Sequence, residues 1–165
     1  LAVALGRFGT WSALGATHSA SADVFPNTPS LSFHGASYAS DLVSFAGYEL
    51  TSSVRAGDGY APLDPLPAPA ASVVEAYNPQ GSIPFLDIGG KFAMTGSSFS
   101  PEVLAGLTHE QIAAALSDPS SPVAKAIDGA TNVLTANICS VTGGKPGSVC
   151  SAPGVVAAQA KLANG

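Results

Sequence analysis

The chain has 165 residues, 46% of them hydrophobic and only 10% charged, with 11 acidic against 6 basic residues for a net charge of −5. That length supports one domain with a real core, although alanine supplies the largest share of the apolar fraction. No basic cluster is present, which argues against a nucleic-acid partner and against polybasic attachment to anionic lipid, since both depend on Lys and Arg meeting phosphate.

Residues 1–8 have helical composition with an apolar face, and Gly6 or Gly9 is placed to stop the helix. The apolar stretch at residues 1–5 falls far short of the roughly 20 residues a bilayer span requires, and it has neither a charged leader nor a cleavage pattern. The chain opens on Leu1 rather than Met, so a segment upstream of it is expected. Residues 10–27 show no sustained period and read as a long ordered loop. Residues 30–34 alternate polar and apolar, the mark of a strand with one face buried. Residues 42–45, running on toward Tyr48 and Leu50, are its expected antiparallel partner, with residues 35–40 as the connection.

Residues 51–71 contain Gly57, Gly59 and a run of prolines from Pro62 to Pro69, which reads as a stiff extended connector with some polyproline II character. A short helix is expected over residues 70–77, ending before Asn78-Pro79. Two apolar runs, residues 85–88 and 92–94, then flank Gly89-Gly90. Paired glycines supply the positive φ angles of a two-residue turn, so this segment is a predicted β-hairpin. Pro84 stands at its entry, where a residue without an N–H is tolerated. An Ile83-Pro84 bond there is expected to be cis, the cis penalty before proline being about 0.5–1 kcal/mol.

Every later segment reads as helical. Ser100-Pro101-Glu102 combines an N-cap hydroxyl, proline at the first helical position and an acid in the first turn. Thr108 and Gln111 match a capping box. Ser121-Pro122 opens the longest predicted helix, with Val123, Ile127, Ala130, Leu134 and Ile138 on one stripe and Gly143-Gly144 at its end. Residues 155–162 form a last short helix.

The two cysteines, Cys139 and Cys150, flank a segment turned by Gly143, Gly144, Pro146 and Gly147. Their spacing is too wide for a redox Cys-x-x-Cys and no histidine completes a zinc site. A structural disulfide is the reading this favours, with two free buried thiols as the alternative. Such a bridge persists outside the reducing cytosol and stabilises by about 2–3 kcal/mol on the chain-entropy account.

Chemistry-bearing residues are otherwise sparse. His18, His34 and His109 are scattered, with no i, i+4 pairing and no cysteine or carboxylate at ligand spacing, so neither a metal nor a cofactor is expected. His109 falls in a first helical turn, and His18 in the long loop near Trp11. There is no Gly-x-Ser-x-Gly elbow, and Gly143-Gly-Lys145 lacks the strand and helix of a phosphate loop. Asp87 is the one acid within an apolar strand; it either sits near a catalytic pair with a raised pKa or bonds locally at the turn. Trp11, Tyr48, Tyr60 and Tyr77 are candidates for a cleft or for core and rim.

Taken together, Leu5-Gly-Arg-Phe-Gly-Thr10, Asp23-Val-Phe-Pro-Asn-Thr-Pro29, Ser82-Ile-Pro-Phe-Leu-Asp87, Ser97-Ser-Phe-Ser-Pro-Glu-Val-Leu104, Ile112-Ala-Ala-Ala-Leu-Ser-Asp-Pro119 and the pair Cys139 and Cys150 resemble a family of uncharacterised bacterial and archaeal proteins of thioredoxin-like fold, filed as a domain of unknown function. The likeness runs nearly end to end. It implies an α/β fold with a thioredoxin-like mixed sheet and an enlarged helical C-terminal region, as a single domain over residues 1–165 that is N-terminally incomplete. In that family a strand and a Cys-Pro-Tyr-Cys type motif precede the first helix, and the proteins are exported or membrane-anchored.

Here the first helix opens the chain, so the resemblance places no catalytic residue within it. Only Pro84 matches a redox-site position, as the cis-proline that faces the cysteines, and Ile83 and Pro84 are the implied substrate-binding residues. The implied function is that of an extracytoplasmic thiol–disulfide oxidoreductase-like protein, secreted or membrane-anchored, acting on protein thiols or disulfides. The alternative is a non-catalytic thioredoxin-like binding or assembly subunit. A missing interior strand would leave two unpaired edges, to be filled by an upstream segment carrying any anchor, by a second chain, or by an associated fragment.

Overall fold

The computed structural model describes residues 1–164, and the chain folds as a mixed α/β structure. Its centre is a helix of 20 residues, α4 (Pro122–Val141), which numbering in chain order places after three shorter ones: α1 (Ala2–Leu5), α2 (Ala68–Tyr77) and α3 (His109–Ala115). Two more come after it, α5 (Gly147–Cys150) and α6 (Pro153–Ala163). The eight strands are β1 (Thr10–Ser12), β2 (Gly15–His18), β3 (Pro29–Ser32), β4 (Ser37–Ala39), β5 (Thr51–Ala56), β6 (Gly59–Pro62), β7 (Phe85–Ile88) and β8 (Phe92–Thr95).

The start of α4 conforms to its sequence. Ser121 Oγ accepts from Ala124 N at 2.9 Å, and Pro122 needs no hydrogen-bond partner for its nitrogen. Of the expected stripe, Val123, Leu134 and Ile138 are buried. From Thr131 the burial widens, taking in Leu134, Thr135, Ala136, Asn137, Ile138 and Cys139 together. This half of α4 is enclosed from several sides: by Leu5 and Phe8 of the N-terminal segment, by Val155 and Ala158 of α6, and by Cys150. Thr135, with no exposed surface, keeps its hydroxyl satisfied by donating to Thr131 O at 2.7 Å.

The N-terminal segment is fastened to that core by side chains reaching its backbone. Trp11 Nε1 donates to Ala2 O at 3.1 Å, Tyr38 Oη to Leu5 O at 2.8 Å and Ser40 Oγ to Phe8 O at 2.6 Å. Arg7 crosses to α4, donating to Asn132 Oδ1 at 2.9 Å and Thr135 Oγ1 at 3.1 Å. Trp11 also sits in an aromatic cluster with Phe33, Tyr38 and Phe45, ring centroids 4.9–5.2 Å from its own, a spacing at which tilted rings attract. Gly9 is required here, because a Cβ would collide with Ala39 O and the Tyr38 ring.

The strands pair as four separate antiparallel ribbons, β1–β4, β2–β3, β5–β6 and β7–β8, where one mixed sheet was expected. Residues 10–27, read as a loop, hold β1 and β2, and β4 lies within the expected connection at 35–40. The first two ribbons are nested, one long hairpin broken where Ala13 and Gly35 take positive φ. The sequence signal was weak because this strand surface is Ser, Thr and Gly rather than Val and Ile.

The strand expected over residues 42–50 does not form, and β3 pairs with β2 instead. Ser40 Oγ accepts from the amides of Leu42 and Val43, which removes them from any ladder, while Val43 and Phe45 turn in to the core. The expected connector at 51–71 begins with a hairpin, β5–β6, turned on Gly57-Asp58 with Gly57 at φ +59°. Its irregular part is confined to residues 63–67, and residues 68–71 already belong to α2. The hairpin β7–β8 lies as expected but with a three-residue loop: Ile88 opposes Phe92, leaving Lys91 as an extra residue after Gly89 and Gly90. Gly89 has positive φ and its Cα faces Val141, where a Cβ would meet Cγ1 at 2.7 Å. The Ser100-Pro101 start yields only one 3₁₀ turn, Pro101–Leu104, because Gly106 at φ +72° breaks the chain two residues on. The Thr108–Gln111 capping box is formed in both directions.

Leu134, on the same half of α4, is 2% exposed. Leu134→Ala is expected to lower stability by about 2–5 kcal/mol, measured by urea unfolding, with the slope against denaturant unchanged.

Candidate functional site

The hairpin β7–β8 presents Ile83 and Pro84 at the end opposite its glycine turn. The Ile83-Pro84 bond is cis, as is Lys145-Pro146. Pro84 O accepts from Gly96 N at 2.8 Å, extending the hairpin past its last ladder pair. The approach to this point is held by Asn78, 6% exposed. Its Nδ2 donates to Ser82 O at 2.8 Å and its Oδ1 accepts from Ser82 N at 3.0 Å, while its own N–H closes α2 on Val74 O. One residue thus ends a helix with its backbone and fixes the residue before Ile83 with its side chain. Sequence reasoning noted Asn78 only as a helix boundary; the Asn-Pro-Gln-Gly turn chemistry around it was the available signal.

With Ser82 fixed, Ile83 projects outward and is 86% exposed, an unusual state for a large aliphatic side chain. No other strand pairs with β7 or β8 among the described residues. The site therefore joins an exposed apolar residue, a proline and an unpaired strand edge, a combination that can take up an extended peptide.

Cys139 and Cys150 are bonded, with Cα atoms 5.7 Å apart, and no free cysteine remains among the described residues. Cys139 is on the last turns of α4 and Cys150 closes α5, so the bridge folds the chain back toward α6. Both sulfur-bearing residues are buried in the core. Neither has a thiol to offer for exchange chemistry.

The histidines remain apart. His18 Nδ1 contacts Ser19 O, and His109 Nε2 lies 2.8 Å from Ser30 O, tying α3 to β3. His34 Nδ1 lies 2.7 Å from Asp64 Oδ1, and Asp64 Oδ2 accepts from Glu49 N at 2.9 Å. Glu49 in turn accepts from Ser32 Oγ and Phe33 N. This network, absent from the sequence reading because its bonded partners lie 15–30 residues apart, clamps the long hairpin to the β5–β6 ribbon. Asp87 is exposed and accepts from Gly90 N at 3.2 Å, the local turn bond rather than a catalytic pairing. Tyr48 and Tyr77 are exposed, and Tyr60 lies under Arg55. No three His, Cys, Asp or Glu side chains converge as a metal site among the described residues, and no helix there is long and apolar enough to cross a membrane.

The arrangement defines a mixed α/β domain stapled by a disulfide, with an exposed Ile-Pro edge and no thiol of its own. Residues 1–140 match the model of a family described as a domain of unknown function (DUF929), and the chain belongs to that family. The match takes in the hairpin and Cys139 and stops before Cys150. No curated protein and no solved structure matches the chain.

Removing the bridge is expected to destabilise the chain by about 2–3 kcal/mol, since it closes a loop of 11 residues. Cys139→Ala/Cys150→Ala checks this by urea unfolding, and alkylation of the native chain without reductant should add no mass. A second expectation concerns acid. The backbone N–H of Glu49, then His34, holds the Asp64 carboxyl below its ordinary value. Its stabilising contribution is therefore present above about pH 4 and is lost as pH falls through the depressed value. Melting temperature should fall more steeply from about pH 5 to 3 in the native chain than in Asp64→Asn.

Proposed function

We propose that this chain is part of an extracytoplasmic, thioredoxin-like thiol–disulfide oxidoreductase whose redox Cys-x-x-Cys lies upstream of Leu1. The observation that carries the reading is Ile83, 86% exposed beside Pro84 at an unpaired hairpin edge. In the thioredoxin-like arrangement of the whole domain this edge faces the dithiol and holds the extended substrate segment. Main-chain hydrogen bonds orient the substrate, and Ile83 covers the apolar side of its disulfide. An upstream strand pairs with one of the edges that the ribbons leave open. The Cys139–Cys150 bridge fits a compartment outside the reducing cytosol, secreted or membrane-anchored.

The chemistry is two successive thiol exchanges. A thiolate of the upstream pair attacks one sulfur of the substrate disulfide, forming a mixed disulfide and releasing the other sulfur as a thiolate that takes up a proton. The second upstream cysteine then attacks the mixed disulfide and frees the remaining substrate thiol. The substrate gains two electrons and two protons; the enzyme pair is left as a disulfide.

The second reading is a non-catalytic thioredoxin-like subunit that binds protein segments at the same edge. Both readings leave this chain without a free thiol among the described residues. Disulfide reduction separates the two. The full-length gene product should reduce a peptide disulfide, and the 165-residue chain should not. Ile83→Ser in the full-length protein should lower kcat/KM by roughly tenfold without lowering its melting temperature, since that side chain packs on nothing. A full-length product without activity, or without an upstream Cys-x-x-Cys, removes the enzyme. Unchanged kcat/KM in Ile83→Ser removes the assigned edge.

A further inference from the structure

A groove of about 510 Å³ lies between the C-terminal halves of α4 and α6 and the start of β8, on the disulfide side of the core. Its volume falls in the range of small-molecule sites. Asn137 lines it, is 4% exposed, and has an Oδ1 that accepts no hydrogen bond. A buried acceptor left without a donor costs stability and is uncommon in folded chains. Leucine fills a similar volume on a helix without that cost, so a carboxamide at this position has something else to meet. Phe92, Leu162 and Ala163 supply apolar walls, and Leu162 is 46% exposed. Beyond the lining itself, Lys91 Nζ donates to Ser140 Oγ, a groove residue, at 2.8 Å. Lys91 makes no ion pair among the described residues.

The geometry points to a binding site for a small apolar carboxylic acid that carries an N–H or O–H donor. The donor meets the Asn137 carboxamide, brought to face the groove by rotation about its terminal torsion. The apolar body lies against Phe92 and Leu162, and the carboxylate takes the ammonium of Lys91. The site shares no residue with the Ile83–Pro84 edge and stands whether or not the chain belongs to an oxidoreductase.

N-acetylleucine is a small probe with all three parts. In an NMR titration of the native, disulfide-bonded chain it should produce saturable shifts at the Asn137 side-chain amide and at Ser140 and Leu162. Its methyl ester, and Lys91→Gln with the acid, should each bind at least about tenfold more weakly, as expected for loss of a charge-assisted hydrogen bond. Asn137→Leu should raise the melting temperature and abolish saturation, the opposed changes of a residue kept for binding at the expense of stability. Shifts that do not saturate below about 10 mM, or saturation that neither Lys91→Gln nor the ester weakens, overturn the proposal. If Asn137→Leu does not fold, the ester and Lys91→Gln decide it alone.

Discussion

Everything in this structure leans on the second half of α4. A long amphipathic helix ordinarily buries one stripe, but over residues 131–139 α4 is covered by the N-terminal segment, by α6 and by Cys150. The constraint is that a chain with only 10% charged residues and an alanine-rich apolar fraction has few large side chains with which to build a core. Concentrating Leu5, Phe8, Ile138 and Val155 on one half of one helix, and cross-linking the end of that helix to α5, makes one dense centre out of a modest supply. The four ribbons are attached to it rather than forming a core between them.

That attachment is largely polar. The carbonyls of Ala2, Leu5 and Phe8 are reached by Trp11, Tyr38 and Ser40, and the His34–Asp64–Glu49 network joins one ribbon to the next. Each bond contributes only about 1 kcal/mol net, but each also forbids alternative placements, because a buried carbonyl without its donor costs more than the bond gains. The same device recurs at Asn78, where two bonds to Ser82 fix the backbone just before the exposed Ile83. The hairpin is thus fixed at both ends, by Asn78 at its entry and by the close approach of Gly89 to Val141 at its turn.

What could be read from the residues was what local chemistry specifies. The Ser121 cap, the Thr108–Gln111 capping box, the stops at Gly143-Gly144 and the β7–β8 glycines each act within a few residues, and each lies where expected. The Cys139–Cys150 pairing was legible because its spacer is made of turn residues. Of the long hairpin only β3 was, because β1, β2 and β4 are too short and too poor in Val and Ile to show their period, and the two halves are joined by a ten-residue loop. The strand expected over residues 42–50 failed for the converse reason: its apolar residues were real, but Ser40 had claimed the adjoining amides. At the candidate site, Pro84 was visible as a residue without an N–H at a strand entry, whereas the bracing by Asn78 depends on how the chain turns between it and Ser82. Nothing in residues 131–139 distinguishes Asn137 from an outward-facing polar residue until the packing around it is known.

The position of Trp11 has an optical consequence. It is the only tryptophan in the chain, and its ring touches Phe33, Tyr38 and Phe45 while its indole N–H is held by Ala2. Its emission therefore senses one junction, the seating of the long hairpin and the N-terminal helix on α4. The β7–β8 ribbon carries no chromophore that reports so strongly. Heating or denaturant followed by fluorescence watches the anchored half of the molecule, and an early loosening of the Ile83 edge would pass unseen by that signal while far-ultraviolet dichroism registered it.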